Sequence, residues 1–240
     1  MQSQHTVRSY DEELKFLAHK IAEMGGHAER MVEQSVTAIV NADRALAQRV
    51  ISDDLILDAC EREIDDRAIA IIAKRQPMAV DLREIIGAIR ISADLERVGD
   101  LGKNIAKRVA ATSDARQSLK VYRGLQTLAE LALTQLKDVL DAFASRSVEQ
   151  INIVRDRDDE IDAMYTSLFR ELLTYMMEDP RNISACTHLL FCAKNIERIG
   201  DHATNIAETV YYIVTGHQMP PDRPKEDLSH GIVVDEARQA

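Results

Sequence analysis

The chain has 240 residues, 45% of them hydrophobic, and its 40 acidic side chains outnumber 30 basic ones, giving a formal net charge of −10. Because no cluster of Lys or Arg could neutralise phosphates along a groove, this composition argues against direct nucleic-acid binding. The longest apolar run, residues 68–73, is far shorter than the roughly 20 residues that span a bilayer, and the polar start has no signal-peptide core, so we expect a cytoplasmic protein.

The first half of the chain predicts three long helices. Apolar residues recur in steps of four and three from Tyr10 to Ala38, the spacing of one buried helix face. Asn41 or Asp43 is a candidate N-cap for a second helix that extends to Lys74. A third helix is predicted from about Ala79 to Val109.

The second half predicts the same arrangement. After a connector at residues 110–117, helices are expected near 120–144, 147–178 and 181–215, with Gly216 ending the last one. Short connections between long helices require antiparallel packing. We therefore predict an all-α fold of two tandem antiparallel three-helix bundles. Their bounds are residues 1–113 and 114–216, followed by a flexible C-terminal tail at 217–240.

The two halves share a repeated segment. ERVGDLGKNIAKRV (96–109) and ERIGDHATNIAETV (197–210) are identical at eight of fourteen positions. Upstream, DLILD (54–58) corresponds to DDEID (158–162) if about three residues are inserted in the second copy. This pattern indicates an internal duplication, with the repeated segment as the third helix of each unit.

The repeated segments carry carboxylates four residues apart, which places them on one face of a helix. A chain this acidic contains about six or seven such pairs by chance, so only their placement at matching positions of two repeats makes them candidates for a metal site. The predicted ligands are Glu96, Asp100, Glu197, Asp201, Asp54, Asp58, Asp158 and Asp162, with Asn104 and Asn205 as auxiliary oxygen donors.

Two interpretations of these acids are compatible with the sequence. Oxygen ligands without thiolates suit Mg, Mn or Fe better than a structural Zn site. The alternative is structural ion pairing with Arg97, Arg198 and neighbouring lysines. Gly99 and Gly200 each cost stability in the interior of a helix. Because a missing side chain lets another helix pass close by, we expect such a close approach at both positions.

Several enzyme classes lack their signatures. No His has a Glu three residues before it, as a ferritin-like di-iron site requires, and no P-loop, nucleophile elbow or dinucleotide fingerprint occurs. Cys60, Cys186 and Cys192 have no ligand spacing and are expected to be small buried side chains. These absences disfavour ferritin-like, hydrolytic and nucleotide-binding enzymes.

QPMAVDLREIIGAIRISADLERVGDLGKNIAKRV (76–109) and CAKNIERIGDHATNIAETVYYIVTG (192–216) resemble the PhoU family of phosphate-specific transport regulators. The resemblance extends from the first helix to Gly216. It implies a pair of three-helix bundles whose E/DxxxD motifs carry iron or zinc clusters in some members. Glu96/Asp100 and Glu197/Asp201 match that motif directly, whereas Asp54/Asp58 and Asp158/Asp162 match it through the gapped alignment.

The resemblance further implies a negative regulator of the phosphate-starvation response. Such a protein is an adaptor between the ATPase subunit of a phosphate ABC transporter and a sensor histidine kinase. It is not an enzyme, and it meets the membrane only through these partners. A metal-dependent enzyme or metal-storage bundle that uses the same carboxylates is the alternative. Homodimerisation is also expected, since three-helix units expose apolar edges.

Overall fold

The computed structural model describes the backbone of residues 2–112 and 119–220, and the side chains of residues 10–112 and 121–220. Within these ranges the chain is helical and contains no strand, which confirms the all-α prediction. The helices are α1 (Gln2–Asn41), α2 (Arg44–Arg75), α3 (Val80–Ala106), α4 (Val109–Thr112), α5 (Leu119–Ser145), α6 (Val148–Glu178) and α7 (Ile183–Thr215), with a 3₁₀ turn at Pro180–Asn182 before α7.

Two helix ends form as the sequence predicts. Asp43 is the N-cap of α2, and its carboxylate accepts a hydrogen bond from the backbone N–H of Leu46 at 2.9 Å. Gly216 ends α7 in the left-handed region at φ 76°, and its N–H bonds to the carbonyl of Tyr212.

The end of α3 differs from the prediction. The N–H of Arg108 bonds to the carbonyl of Ile105, three residues back, instead of the fourth residue back as in an α-helix. The helix therefore tightens at residues 107–108 and ends at Ala106, and the four-residue α4 follows it. Neither Gly nor Pro stands at this point to signal the change.

Each half of the chain forms a three-helix unit, as predicted. Helices α1, α2 and α3 pack against one another, and α5, α6 and α7 do the same. Buried apolar side chains fill both units, for example Ile21, Ile64 and Ile91 in the first and Leu128, Leu168 and Ile199 in the second. The predicted boundary at 113/114 and the tail from residue 221 onward lie outside the described residues.

The two units also pack against each other, through α3 and α7 and through α1 and α5. Gly87 near the start of α3 faces Ile213 near the end of α7, whereas Arg108 just after α3 contacts His188 near the start of α7. Helices α3 and α7 are therefore antiparallel. A continuous set of buried side chains joins the two units into one hydrophobic core.

The three cysteines are buried and free of disulfides, as expected. Burial raises the pKa of Cys192 to about 12, so its thiol stays protonated at neutral pH. None of the helices in the described ranges combines the length and apolar character needed to cross a membrane.

Candidate functional site

The predicted acidic residues lie where the second and third helices of each unit meet. Asp54 of α2 binds the ammonium of Lys103 of α3 at 2.5 Å, and Asp158 of α6 accepts a hydrogen bond from Thr204 of α7 at 3.2 Å. Residues 103 and 204 occupy the same position of the repeated segment. This geometry agrees with the gapped alignment that pairs Asp54 with Asp158.

The repeated glycines allow these helices to approach. A Cβ on Gly99 would overlap Cδ1 of Leu57 on α2, and a Cβ on Gly200 would lie 3.1 Å from Cδ1 of Ile161 on α6. Leu57 and Ile161 are themselves equivalent in the two copies. The expectation of a close helix at both glycines is confirmed, and the approach brings the carboxylates of the two helices onto a shared face.

The acidic face of the first unit, which we call the first face, contains Asp54, Asp58, Glu96 and Asp100, and a lysine binds two of these carboxylates. The ammonium of Lys103 lies 2.5 Å from both Asp54 and Asp100. Burial lowers the pKa of Lys103, but its hydrogen bonds to the two carboxylates outweigh burial, and the net effect raises the pKa. Lys103 therefore remains charged at neutral pH and neutralises part of this face.

Glu96 lies in the more strongly acidic part of the first face. Burial raises the pKa of its carboxyl group, and the negative charge of Asp100 raises it further, whereas Arg97 opposes the shift. Glu61 and Asp58 on α2 add to the increase. Acids from two helices thus interact across this face.

Sequence reasoning missed Glu61 and Asp65. They are an i,i+4 acidic pair on α2, and Oδ1 of Asp65 is buried without a hydrogen-bond partner in the described part of the chain. Their equivalents in the second copy are Tyr165 and Phe169, whose rings contact each other. Because the second copy has aromatic residues at these positions, comparison of the two repeats does not identify the pair.

The second face, which contains Asp158, Asp162, Glu197 and Asp201 of the second unit, has a lysine at a different position. Lys194 binds Glu197 at 2.8 Å. Burial lowers the pKa of Lys194, but the bond to Glu197 and the charge of Asp201 outweigh this effect, and the pKa is raised. Asp162 on α6 is partly exposed. The first copy has Ala93 at the position of Lys194, so each face has its own lysine at a different place.

A buried amide connects the second face to α5 through hydrogen bonds. Gln135 of α5 is fully buried, and its Nε2 donates to Oγ1 of Thr204 and to the carbonyl of Val154. Thr204 in turn donates to Asp158. This chain of hydrogen bonds joins all three helices of the second unit.

The described side chains contain no group of three or more His, Cys, Asp and Glu residues arranged to hold a metal ion. Asn205 donates to Asp94 of α3, and Asn104 lines a cleft between α3 and α7 with Lys107. Both amides thus lie near the junction of the two units. A metal site on the acidic faces stays a prediction from the sequence.

The fold and the repeated acidic motif define a class of all-α proteins built from two duplicated three-helix units. A family model described as the PhoU domain matches residues 21–109 and again residues 125–210, one match in each unit. The chain therefore belongs to the PhoU family.

Relatives of known name support this assignment. A protein of Rhizobium meliloti (strain 1021), named phosphate-specific transport system accessory protein PhoU homolog, is 68% identical over 95% of this chain and 97% of its own length. A protein of the same name from Caulobacter vibrioides (strain NA1000 / CB15N) is 48% identical over 94% of this chain and 98% of its own.

Solved structures show the same fold. The crystal structure of PhoU from Pseudomonas aeruginosa matches with a TM-score of 0.83 and 38% identity, covering 87% of this chain and 100% of that one. The phosphate transport system regulatory protein PhoU from Streptococcus pneumoniae matches with a TM-score of 0.81 and 26% identity, covering 88% and 99%.

Proposed function

We propose that this protein is an accessory regulator of a phosphate-specific transport system. The observation that carries the proposal is the 68% identity, over 95% of the chain, to a relative that bears this name. Nearly full coverage of both chains means that the similarity includes both three-helix units and the helices that join them. An assignment based on one shared domain would have less support.

The regulator acts as an adaptor that binds the ATPase subunit of a phosphate ABC transporter and a sensor histidine kinase. Such a protein works by binding one state of a partner more tightly than another, so it needs docking surfaces and no catalytic groups. Each unit presents an exposed methionine where its second helix leads to its third, Met78 at 81% and Met177 at 85% exposure. Flexible thioether side chains of this kind suit protein contacts.

Deletion of the gene in its host tests the regulatory role. In phosphate-replete medium, a reporter driven by a phosphate-starvation promoter should be silent in the wild type, active in the deletion strain and silent again after complementation. Unchanged reporter activity in the deletion strain would contradict negative regulation. Pull-downs with the ATPase subunit and the kinase sensor region test the two partners separately, and turnover assays of the pure protein test the alternative of a metal-dependent enzyme.

The acidic faces are proposed to bind metal ions, iron or zinc in the first instance, with Mg and Mn also compatible with oxygen ligands. Support comes from the convergence of acids from two helices and from the unpartnered buried oxygen of Asp65. Lys103 occupies the space between Asp54 and Asp100, whereas the second copy has an uncharged threonine there. The position beside Asp158 on the second face should therefore accept a cation more readily than the position that Lys103 fills on the first face.

Substitution of Thr204 tests this assignment. Thr204→Lys would place an ammonium beside Asp158, as Lys103 stands beside Asp54, and should lower the metal content of protein purified without chelator. Thr134→Lys adds the same charge at an exposed position of α5 and serves as the control. Equal metal content in both variants and the wild type would exclude the second face as the site.

The importance of the acids for regulation is a separate question. A protein with Glu96→Gln, Asp100→Asn, Glu197→Gln and Asp201→Asn should fail to repress the phosphate-starvation reporter if metal-bearing faces form a docking surface. Normal repression by this variant would show that the acids are unnecessary. Light scattering of the purified chain tests the predicted homodimer.

A further inference from the structure

A cleft of about 450 Å³ opens between the end of α3 and the start of α7, where the two units meet. It is lined by Asn104, Lys107, Arg108, Ala111, His188 and Asn195. These side chains include cations and amides but no carboxylate, although the chain as a whole carries a net charge of −10. The cleft is therefore a local basic site on an acidic protein, and we call it the basic cleft.

Arg108 is held firmly in the basic cleft. Its Nη1 donates to Nδ1 of His188 at 3.1 Å, and its guanidinium stacks over the ring of Phe191 at 4.2 Å. Because arginine has only donors, Nδ1 of His188 is the acceptor and the neutral ring carries its hydrogen on Nε2. The cleft thus contains a guanidinium held in a fixed position and an imidazole with a defined donor.

The positive charge of the basic cleft is not neutralised from within. Neither Lys107 nor Arg108 forms an ion pair with any carboxylate of residues 10–112 and 121–220. In addition, Nε of Arg108 is buried without a hydrogen-bond partner among those residues. Buried donors and adjacent cations that lack partners favour the binding of an anion.

The duplication provides an internal comparison. A second cleft, of about 350 Å³, is lined by Arg90, Ala93, Asp94, Arg97, Asn205, Glu208 and Thr209. Glu197 follows Glu96 by 101 positions, and the same offset relates four lining residues of the first cleft to four of the second, with Asn104 corresponding to Asn205 and the other three pairs differing in residue type. The two clefts are equivalent places of the duplicated fold.

The equivalent positions carry different chemistry. Lys107 corresponds to Glu208, Arg108 to Thr209 and Asn195 to Asp94. In the second cleft Asp94 accepts hydrogen bonds from His202 at 2.9 Å and from Asn205 at 3.4 Å. Cations and acids are thus balanced there, whereas the first cleft has cations alone. Packing shared by both copies does not require Lys107 and Arg108.

We propose that the basic cleft binds a phosphate oxyanion, either free inorganic phosphate or the phosphoryl group of a small molecule. The guanidinium of Arg108 supplies a fixed positive charge and further N–H donors besides the one bonded to His188, Lys107 adds a second charge, and the amides and the histidine supply neutral donors. A volume of about 450 Å³ lies within the range of small-molecule sites. The proposal goes beyond the regulatory role, which does not require the protein itself to bind phosphate.

Calorimetric titration of the purified chain, in chloride buffer at low salt, tests the proposal with inorganic phosphate and adenosine monophosphate as separate titrants. The wild type should bind at least one of them saturably. Binding of phosphate alone identifies the free ion, and binding of the nucleotide alone or more tightly identifies a phosphoryl group on a larger molecule. Failure of both titrants to bind would overturn the proposal without bearing on the regulatory test.

Variants that replace residues of the basic cleft with the corresponding residues of the second cleft test where the anion binds. Lys107→Glu with Arg108→Thr installs the residues of the second cleft and should weaken binding by about tenfold or more. Arg90→Gln removes an exposed cation from the second cleft and should leave binding unchanged. Equal affinity in the wild type and the double variant would place the anion elsewhere and overturn the assignment.

A structural role for the two cations makes a different prediction. Basic side chains near a helix C-terminus also stabilise the helix, so the double variant would then melt at a lower temperature, with the wild type gaining nothing from phosphate. The single variant Lys107→Glu alters an exposed side chain, so it should leave the fold intact and still weaken binding. Circular dichroism checks the fold of each variant.

Discussion

Lys103 shows how one residue changes the local charge of a site that occurs in both repeats. In the first copy its ammonium neutralises Asp54 and Asp100, whereas the second copy has Thr204 in its place and continues the hydrogen bonds inward to Gln135. The two faces therefore share the repeated carboxylates but place their lysines differently, Lys103 on the first and Lys194 on the second. Their affinities for cations should differ for the same reason.

Gly99 provides a stability test at the residue scale. Gly99→Ala should destabilise the protein by about 1–3 kcal/mol, because the new methyl group would overlap the buried side chain of Leu57. Chemical denaturation of the variant measures this change.

Gly26→Ala is the matched control for that substitution. A Cβ there would meet only Nη1 of Arg30, at 3.5 Å, so the helix preference of alanine should stabilise the chain by up to about 1 kcal/mol. A stabilising effect of Gly99→Ala would contradict the close approach of α2 and α3.

The acidic motif and its ion pairing with Arg97 were predictable from the sequence, but its partners on other helices were not. The four-residue spacing alone places Glu96 and Asp100 on one helix face, and the sequence shows the same pair in the second repeat. Lys103 was not selected, because its role depends on Asp54 reaching it from another helix. Glu61 and Asp65 were missed for the related reason that only the first copy contains them.

At the scale of elements, α1 and α2 are joined by a bidentate ion pair. Nε and Nη2 of Arg75 donate to the two carboxylate oxygens of Glu13 at 2.9 and 3.3 Å. The hydrogen bonds from Arg75 lower the pKa of Glu13 below its usual value. Because the folded-state pKa is depressed, this contribution to stability is present above the ordinary glutamate pKa and is lost as the pH falls through the folded value.

Glu13→Gln should therefore lower stability at pH 7 by about 0.5–1 kcal/mol, as expected for a partly exposed pair with bidentate geometry. The difference from the wild type should shrink as the pH falls below about 4, where glutamate protonates. Thermal melts across this range measure it. Glu12→Gln alters an exposed neighbour and is the control, and an equal effect of both variants at pH 7 would contradict a specific role for the pair.

The helices themselves were largely predictable, since long apolar stripes and the cap at Asp43 act within one segment. The end of α3 was not, because residues 107–108 tighten without a Gly or Pro. That tightening coincides with Lys107 and Arg108, which line the basic cleft. Sequence periodicity carries no information about which side chains two distant helices bring into one cleft.

On the scale of the whole molecule, the two units share one core through α3 and α7. We expect the chain to unfold in a single cooperative transition, although it contains two family domains. Separate units would lose the contact between Gly87 and Ile213 and the hydrogen bond between His202 and Asp94.

The absence of tryptophan makes this prediction easy to check. Phe16→Trp reports on α1 of the first unit and Phe169→Trp on α6 of the second, since both side chains are half-buried. Urea unfolding followed by fluorescence of each variant should give coincident midpoints that match circular dichroism. Two separated midpoints would show that the units unfold independently.

The equivalent clefts between α3 and α7 distinguish this chain from an association of two identical subunits. In a symmetric homodimer every substitution appears on both sides of the two-fold axis, so the two sites must remain chemically alike. Here each position of the repeat is encoded separately, and Arg108 can face the solvent of one cleft while Thr209 occupies the corresponding place in the other. Because both copies of the repeat lie in one polypeptide, the two clefts can differ in charge although the backbone around them is repeated.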